Sequence, residues 1–293
     1  MIVVNKLTKV YKGGKGIFDV SLQVSEGESF GYLGPNGAGK TTTIRNLLGF
    51  IFPDSGGSRV AGYDSAREAD KIQRVVGYIP GEMAFFDDMT GTQFLQFMSA
   101  LRGGNSDVLR KKLVERFELT ADTRIRKMSK GNKQKLGLVA AFMHDPAVYI
   151  LDEPTSGLDP LMQQRFVELI LDEKRRGKTI LMSSHMFEEV DRTCDRAGII
   201  RDGKLVDVED VQRLKSKQQR RYVVQVASEA DVQTLRESGL DITAVDKRVE
   251  ITITDDYAPM FQALSRCHVN GLEAVSQSLE DVFMQYYGRE AKS

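Results

Sequence analysis

The chain has 293 residues, 41% of them hydrophobic and 28% charged, a balance that suits a folded globular protein with one large domain and a smaller one and argues against disorder or membrane residence. Lys+Arg and Asp+Glu both number 41, so no global charge draws the chain to nucleic acid or to an acidic surface. Apolar runs stop well short of the roughly 18 residues that suggest a membrane-spanning helix. The opening Met1-Ile2-Val3-Val4 lacks the form of a signal peptide, so a cytosolic location is expected. Cys194 and Cys267 make neither a metal spacing nor a disulfide framework and read as free packing thiols.

Short β-rich runs alternate with amphipathic helical stretches from Ile2 to about Asp207, which predicts an α/β domain around a largely parallel sheet. Residues 17–24 and 29–33 read as strands, the second running into a glycine-rich loop, with a helix opening near Lys40. Leu136, Val139, Ala140 and Met143 recur at helical spacing behind Ser129, a candidate N-cap. Residues 147–151 form the continuous apolar run of a strand buried on both faces. Met162, Phe166, Leu169 and Ile170 mark the next helix, and residues 179–183 another strand. A polar helical stretch from about Asp207 to Gln219 marks the expected boundary, giving domains 1–215 and 216–293. Beyond it, strand 222–227, helix 229–238, strands 242–245 and 249–254, helix 257–267 and strand 272–276 follow the βαββαβ order of a ferredoxin-like α+β domain, with a last helix over 279–287.

Two constellations carry chemistry. Gly34-Pro35-Asn36-Gly37-Ala38-Gly39-Lys40-Thr41 fits the spacing G-x-x-x-x-G-K-[ST] and lies between a strand and a helix. Its glycines let backbone N–H groups surround a phosphate at the positive end of a helix. Lys40 then reaches the β- and γ-phosphates and the Thr41 hydroxyl the Mg²⁺ shell, with Thr42 following. The second is the apolar run that ends in Asp152-Glu153. Adjacent carboxylates at the end of a buried strand are explained by a metal ion held by Asp152 and a water oriented and deprotonated by Glu153. A capping or turn role is the alternative for the pair taken alone. Ser129 and Gly131, at a helix start, place a hydroxyl, bare N–H groups and the helix dipole toward one anion, with simple helix capping as the lesser alternative for Ser129.

From Met1 to about Gly203 the chain resembles the nucleotide-binding ATPase subunit of bacterial ABC transporters, exporter-like in its branch. The stretches that carry the resemblance are Met128-Ser129-Lys130-Gly131-Asn132, Leu151-Asp152-Glu153-Pro154-Thr155-Ser156-Gly157-Leu158-Asp159-Pro160 and Ser184-His185. It implies an ABC-type phosphate-loop core with antiparallel N-terminal strands and a helical subdomain. It further implies Mg-ATP held by Gly34, Asn36, Gly37, Ala38, Gly39, Lys40, Thr41 and Thr42, with Tyr11 stacked on adenine. Ser129, Gly131 and Asn132 would cap the γ-phosphate of ATP held by a partner cassette. Asp159 would belong to the loop between the two sites, and His185 would sense the γ-phosphate beside Glu153.

Two positions depart from the family pattern. Lys130 and Asn132 stand in the third and fifth places of a signature usually written LSGGQ, closer to variants of drug, peptide and lipid exporters. Gly81 stands where a Mg²⁺-touching glutamine follows Pro80, leaving Glu82 as the substitute metal candidate. The resemblance implies a dimer with itself or a related subunit, an integral membrane permease that docks beside residues 83–103, and a place at the cytoplasmic face of the membrane. Nucleic acid is not expected as a partner. The alternative is a soluble ABC-type ATPase acting on ribosomes or nucleic acid. It is disfavoured by the single cassette, the zero net charge and the absence of a heptad-bearing insertion between Lys40 and Ser129.

Overall fold

The computed structural model describes residues 1–103, 106–216, 220–253 and 256–276, which form two compact units dividing between Val211 and Gln212. The first unit opens with β1 (Ile2–Val10) and β2 (Gly16–Val24), paired antiparallel. Alternate side chains Val20, Leu22 and Val24 point into the core. Next come β3 (Ser29–Leu33), α1 (Lys40–Leu47), β4 (Ser55–Val60), β5 (Tyr63–Asp64), α2 (Ala69–Val75) and β6 (Val76–Ile79). The chain continues through α3 (Gly91–Leu101), α4 (Asp107–Arg116), α5 (Lys130–Phe142), β7 (Val148–Asp152), α6 (Pro160–Arg175), β8 (Thr179–Ser184), α7 (Phe187–Thr193), β9 (Arg196–Arg201), β10 (Lys204–Asp210) and α8 (Val211–Ser216).

Two sheets result. The order β2-β1-β4-β5 is antiparallel throughout, and β10-β9-β3-β8-β7-β6 is parallel except for its edge strand β10. Every residue of β3, β7 and β8 is buried, including the polar Ser29, Thr179, Ser183 and Ser184, as central strands covered on both faces require. The parallel direction therefore brings the C-terminal ends of three neighbouring strands to one edge, where ligands collect in open α/β sheets. Local chemistry fixes the helix starts: Thr90 and Gln93 form a reciprocal capping box for α3, and Asp159 caps α6 ahead of Pro160. Phe142 stacks on Tyr149 with ring centroids 4.2 Å apart, locking the end of α5 to β7.

The polar helix expected from Asp207 is corrected. Residues 207–210 belong to β10, whose Asp210 pairs with Arg196 of β9, and helix begins only at Val211. Asp207, Glu209 and Asp210 leave Val208 as the one apolar residue of this stretch, too little alternation to distinguish an edge strand from a solvated helix. The expected boundary after residue 215 consequently falls inside α8, four positions beyond the observed division.

The second unit comprises β11 (Arg220–Val226), α9 (Glu229–Glu237), β12 (Asp241–Val245), β13 (Arg248–Ile253), α10 (Ala258–Leu264) and β14 (Val269–Ser276). Its antiparallel order β12-β13-β11-β14 is the ferredoxin-like arrangement, with Val224, Ile251, Leu235 and Met260 in its core. The expected helix over 279–287 lies outside the described residues.

His144, just past α5, takes a hydrogen bond from Arg102 at 2.6 Å. Burial, and then the Arg102 charge, push its pKa from 6.5 to about 4. The unfolded chain therefore takes up this proton first as pH falls. Stability from neutral His144 is complete above about pH 6.5 and is lost toward about pH 4. Denaturant titrations at a series of pH values should show that His144→Gln flattens the stability profile across that interval. Parallel profiles for the two proteins would contradict the assignment.

Candidate functional site

The loop between β3 and α1 is shaped by two residues in the left-handed region, Gly37 at φ 82° and Gly39 at φ 112°. A Cβ on Gly39 would lie 2.6 Å from Ile17 Cγ2, so both conformation and space demand glycine there. The loop borders a cavity of about 310 Å³. Of the expected site residues, Tyr11, Asn36, Gly37, Gly39, Lys40, Thr41, Thr42, Glu82 and Glu153 line it. Gly34 and Ala38 belong to the loop without lining the cavity. Tyr11 is 42% exposed, so its ring is open to a planar ligand.

Lys40 is 5% exposed and donates from Nζ to the carbonyls of Gly34 at 2.5 Å and Pro35 at 3.3 Å. The same ammonium ion-pairs with Glu153 Oε1 at 3.0 Å. On the other oxygen of that carboxylate, Oε2, His185 Nδ1 approaches to 2.5 Å. Glu153 itself stands in the left-handed region at φ 51°, a conformation that costs about 1–3 kcal/mol and persists where neighbours hold it. Its N–H donates to the carbonyl oxygen of Ser183 at 3.2 Å and to Ser183 Oγ at 3.1 Å.

Asp152 has no solvent exposure. The Thr41 hydroxyl donates to its Oδ2 at 2.7 Å and the Ser183 hydroxyl to its Oδ1 at 2.5 Å. A hydroxyl and a carboxylate within hydrogen-bond reach, beside a phosphate loop, are the hard oxygen donors that suit Mg²⁺ completed by phosphates and water. Among the described residues no group of three His, Cys, Asp or Glu side chains could hold a metal unaided. Gly81 adjoins this pair closely: a Cβ there would lie 3.2 Å from Asp152 Oδ2, so the backbone after Pro80 passes directly beside the carboxylate.

Ser129, Gly131, Asn132 and Asp159 do not line the cavity. Exposed Ser129 caps α5, accepting from the Asn132 N–H at 3.2 Å. The α5 tip instead rests on the loop after β7: a Cβ on Gly157 would lie 3.1 Å from Lys130 Cε, and one on Gly131 3.0 Å from the Gly157 carbonyl oxygen. Asp159 is engaged as the cap of α6, accepting from the Met162 N–H at 3.0 Å.

Sequence reasoning missed two features. Lys15 lines the cavity beside Tyr11, and the Gly13-Gly14 turn that places it was the available signal. Glu189 on α7 is a buried carboxylate that accepts hydroxyl bonds from Thr155 and Ser184. Burial raises its pKa above the usual carboxylate range, and the two hydroxyl bonds pull it back.

Fold and cavity together define a mononucleotide-binding cassette of the phosphate-loop type. A family model described as ABC transporter matches residues 17–156. The chain is 32% identical over 299 residues to the bacitracin transport ATP-binding protein BcrA of Bacillus licheniformis, covering 98% of this chain and 97% of that one. It is 30% identical over 307 residues to the linearmycin resistance ATP-binding protein LnrL of Bacillus subtilis, covering 99% of each. A solved ATP-binding subunit of an ABC transporter superposes with a TM-score of 0.69 at 30% identity, over 73% of this chain and 92% of that one. The chain belongs to the ATP-binding proteins of ABC transporters; it binds and hydrolyses ATP as a transporter subunit, and the ribosomal or nucleic-acid alternative is not favoured.

Gly39→Ala should raise the Kd for ATP at least about tenfold and cost about 1–3 kcal/mol of stability, since it forces a Cβ into a left-handed, occupied position. Nucleotide titration and thermal melting check this, and wild-type values in both would contradict the loop geometry.

Proposed function

We propose that this chain works as one half of a nucleotide sandwich, paired with itself or a related subunit, and that closure and reopening of the pair drive a separate integral membrane permease at the cytoplasmic face. The carrying observation is the division of labour in the site. The loop residues and Glu153 share one cavity, whereas Ser129, Gly131 and Asn132 lie outside it on an exposed helix tip. A second chain would bring that tip, with its hydroxyl, N–H groups and positive dipole end, to the γ-phosphate.

In this reading the β- and γ-phosphates take over the Lys40 ammonium, which is ion-paired with Glu153 at 3.0 Å. Glu153, released from that pair and steered by His185, accepts a proton from the water that attacks the γ-phosphorus as ADP leaves. Thr41 and Asp152 would hold Mg²⁺, whose chemistry is to neutralise the charge of the phosphates. Glu82, at the cavity rim, is the second carboxylate available where the family glutamine is absent.

The permease would dock on the aromatic surface of residues 83–103. Phe94 is buried, Phe85 and Met98 are half-buried, and Phe86 and Phe97 are exposed with ring centroids 5.6 Å apart. Beside them a cavity of about 150 Å³ is lined by Tyr78, Pro80, Met83 and Phe85. Among the described residues no helix is long and apolar enough to cross a membrane, in keeping with a separate permease. Export of a drug, peptide or lipid-like compound is supported by the relatives named for bacitracin transport and linearmycin resistance.

Glu153→Gln should bind ATP and lose about 10²–10⁴-fold in turnover. Phosphate release and nucleotide titration on the same preparation measure both quantities. Near-normal hydrolysis would remove Glu153 as the base.

A further inference from the structure

Glu189 lies on the third position of α7, does not line the ATP cavity, and is 6% exposed. The helix is seated tightly against the sheet: a Cβ on Gly31 of β3 would lie 2.5 Å from Val190 Cγ1. Among the described residues no Lys or Arg forms an ion pair with the Glu189 carboxylate. It is met by two hydroxyls, Thr155 Oγ1 on Oε1 and Ser184 Oγ on Oε2 at 2.9 Å. Burying a carboxylate without a cation is costly, so its presence here calls for a task that an apolar residue cannot perform.

The two donors indicate the task. Thr155 follows Glu153 by two residues, in the loop that supports the α5 tip through Gly157. Ser184 directly precedes His185 and also accepts from the Met186 N–H at 2.9 Å. One carboxylate therefore holds the segment just after Glu153 and the segment just before His185, the two residues whose side chains meet at 2.5 Å. We infer that Glu189 is a positioning residue that clamps the Thr155 loop to the end of β8, keeping Glu153 and His185 in register with each other and with the loop bearing Asp159. This inference rests on the reading of Glu153 as general base.

The clamp is tested with Glu189→Leu and Glu189→Gln in the full-length protein, with Thr155→Val and Ser184→Ala removing one donor each should Glu189→Leu fail to fold. Turnover should fall about 10- to 100-fold in Glu189→Leu, the scale expected when a reacting group is misplaced by about 1 Å. KM for ATP should stay within about twofold, because Lys40 and the phosphate loop are untouched. Glu189→Gln, which keeps one carbonyl acceptor and the volume, should recover most of the rate. The chain has only three histidines, so imidazole NMR resolves His185 and should show its ring signals shifted in Glu189→Leu and near wild type in Glu189→Gln.

Unmoved His185 signals together with wild-type kcat in Glu189→Leu, or in both single-donor variants, would overturn the inference. So would a parallel loss of ATP affinity and melting temperature with no change in kcat, which is the mark of a merely structural role. Normal turnover in Glu153→Gln would overturn the general-base reading instead, and the His185 ring signals would still decide for or against the clamp.

Discussion

The site is organised around a carboxylate with no access to water. Asp152 ends a strand buried on both faces and is satisfied by two hydroxyls, Thr41 from the helix after the phosphate loop and Ser183 from the neighbouring strand. Leaving such a group unpaired would cost several kcal/mol. The three chain segments are thereby fixed to one another, and β3, β7 and β8 must end together. Lys40, Glu153 and His185 follow from that alignment, each within one or two residues of a strand end or helix start.

The same alignment satisfies Lys40 and Glu153 with each other. An ammonium 5% exposed needs an anion nearby, and the Glu153 carboxylate supplies it. The α5 tip, by contrast, rests through Lys130 and Gly131 on Gly157 of the loop after β7. A helix start whose Ser129 and Lys130 are exposed, built onto the same loop that follows Glu153, is suited to completing a site on another molecule. The buried Glu189 clamp joins that loop to His185, so a partner pressing on it has a short physical route to the reacting groups.

Much of this was legible in the sequence. The spacing from Gly34 to Thr41 follows from what a backbone must do to surround phosphate, and the unbroken apolar run that leads into Asp152 follows from burial of β7 on both faces. The βαββαβ order of the second unit showed through its alternation and its turns. The strand end at residues 207–210 did not, since three of its four residues, Asp207, Glu209 and Asp210, are acidic and read as a solvated face. Glu189 was hidden for a different reason: a glutamate on a short helix has the composition of a solvated face, and only the close seat of α7 on β3 shows it to be buried. The Lys40–Glu153 pair joins residues 113 positions apart through an ion pair that no local pattern encodes.

The central claim is that a triphosphate gripped by one chain is completed by the helix tip of another. Its most direct test is the ATPase rate of purified mixed dimers joining a Ser129→Arg chain to a Lys40→Ala chain. Each variant alone should be inactive. The mixed dimer holds one site with an intact loop from the first chain and an intact tip from the second, and should regain hydrolysis. A mixed dimer as inactive as its parents would contradict the shared site.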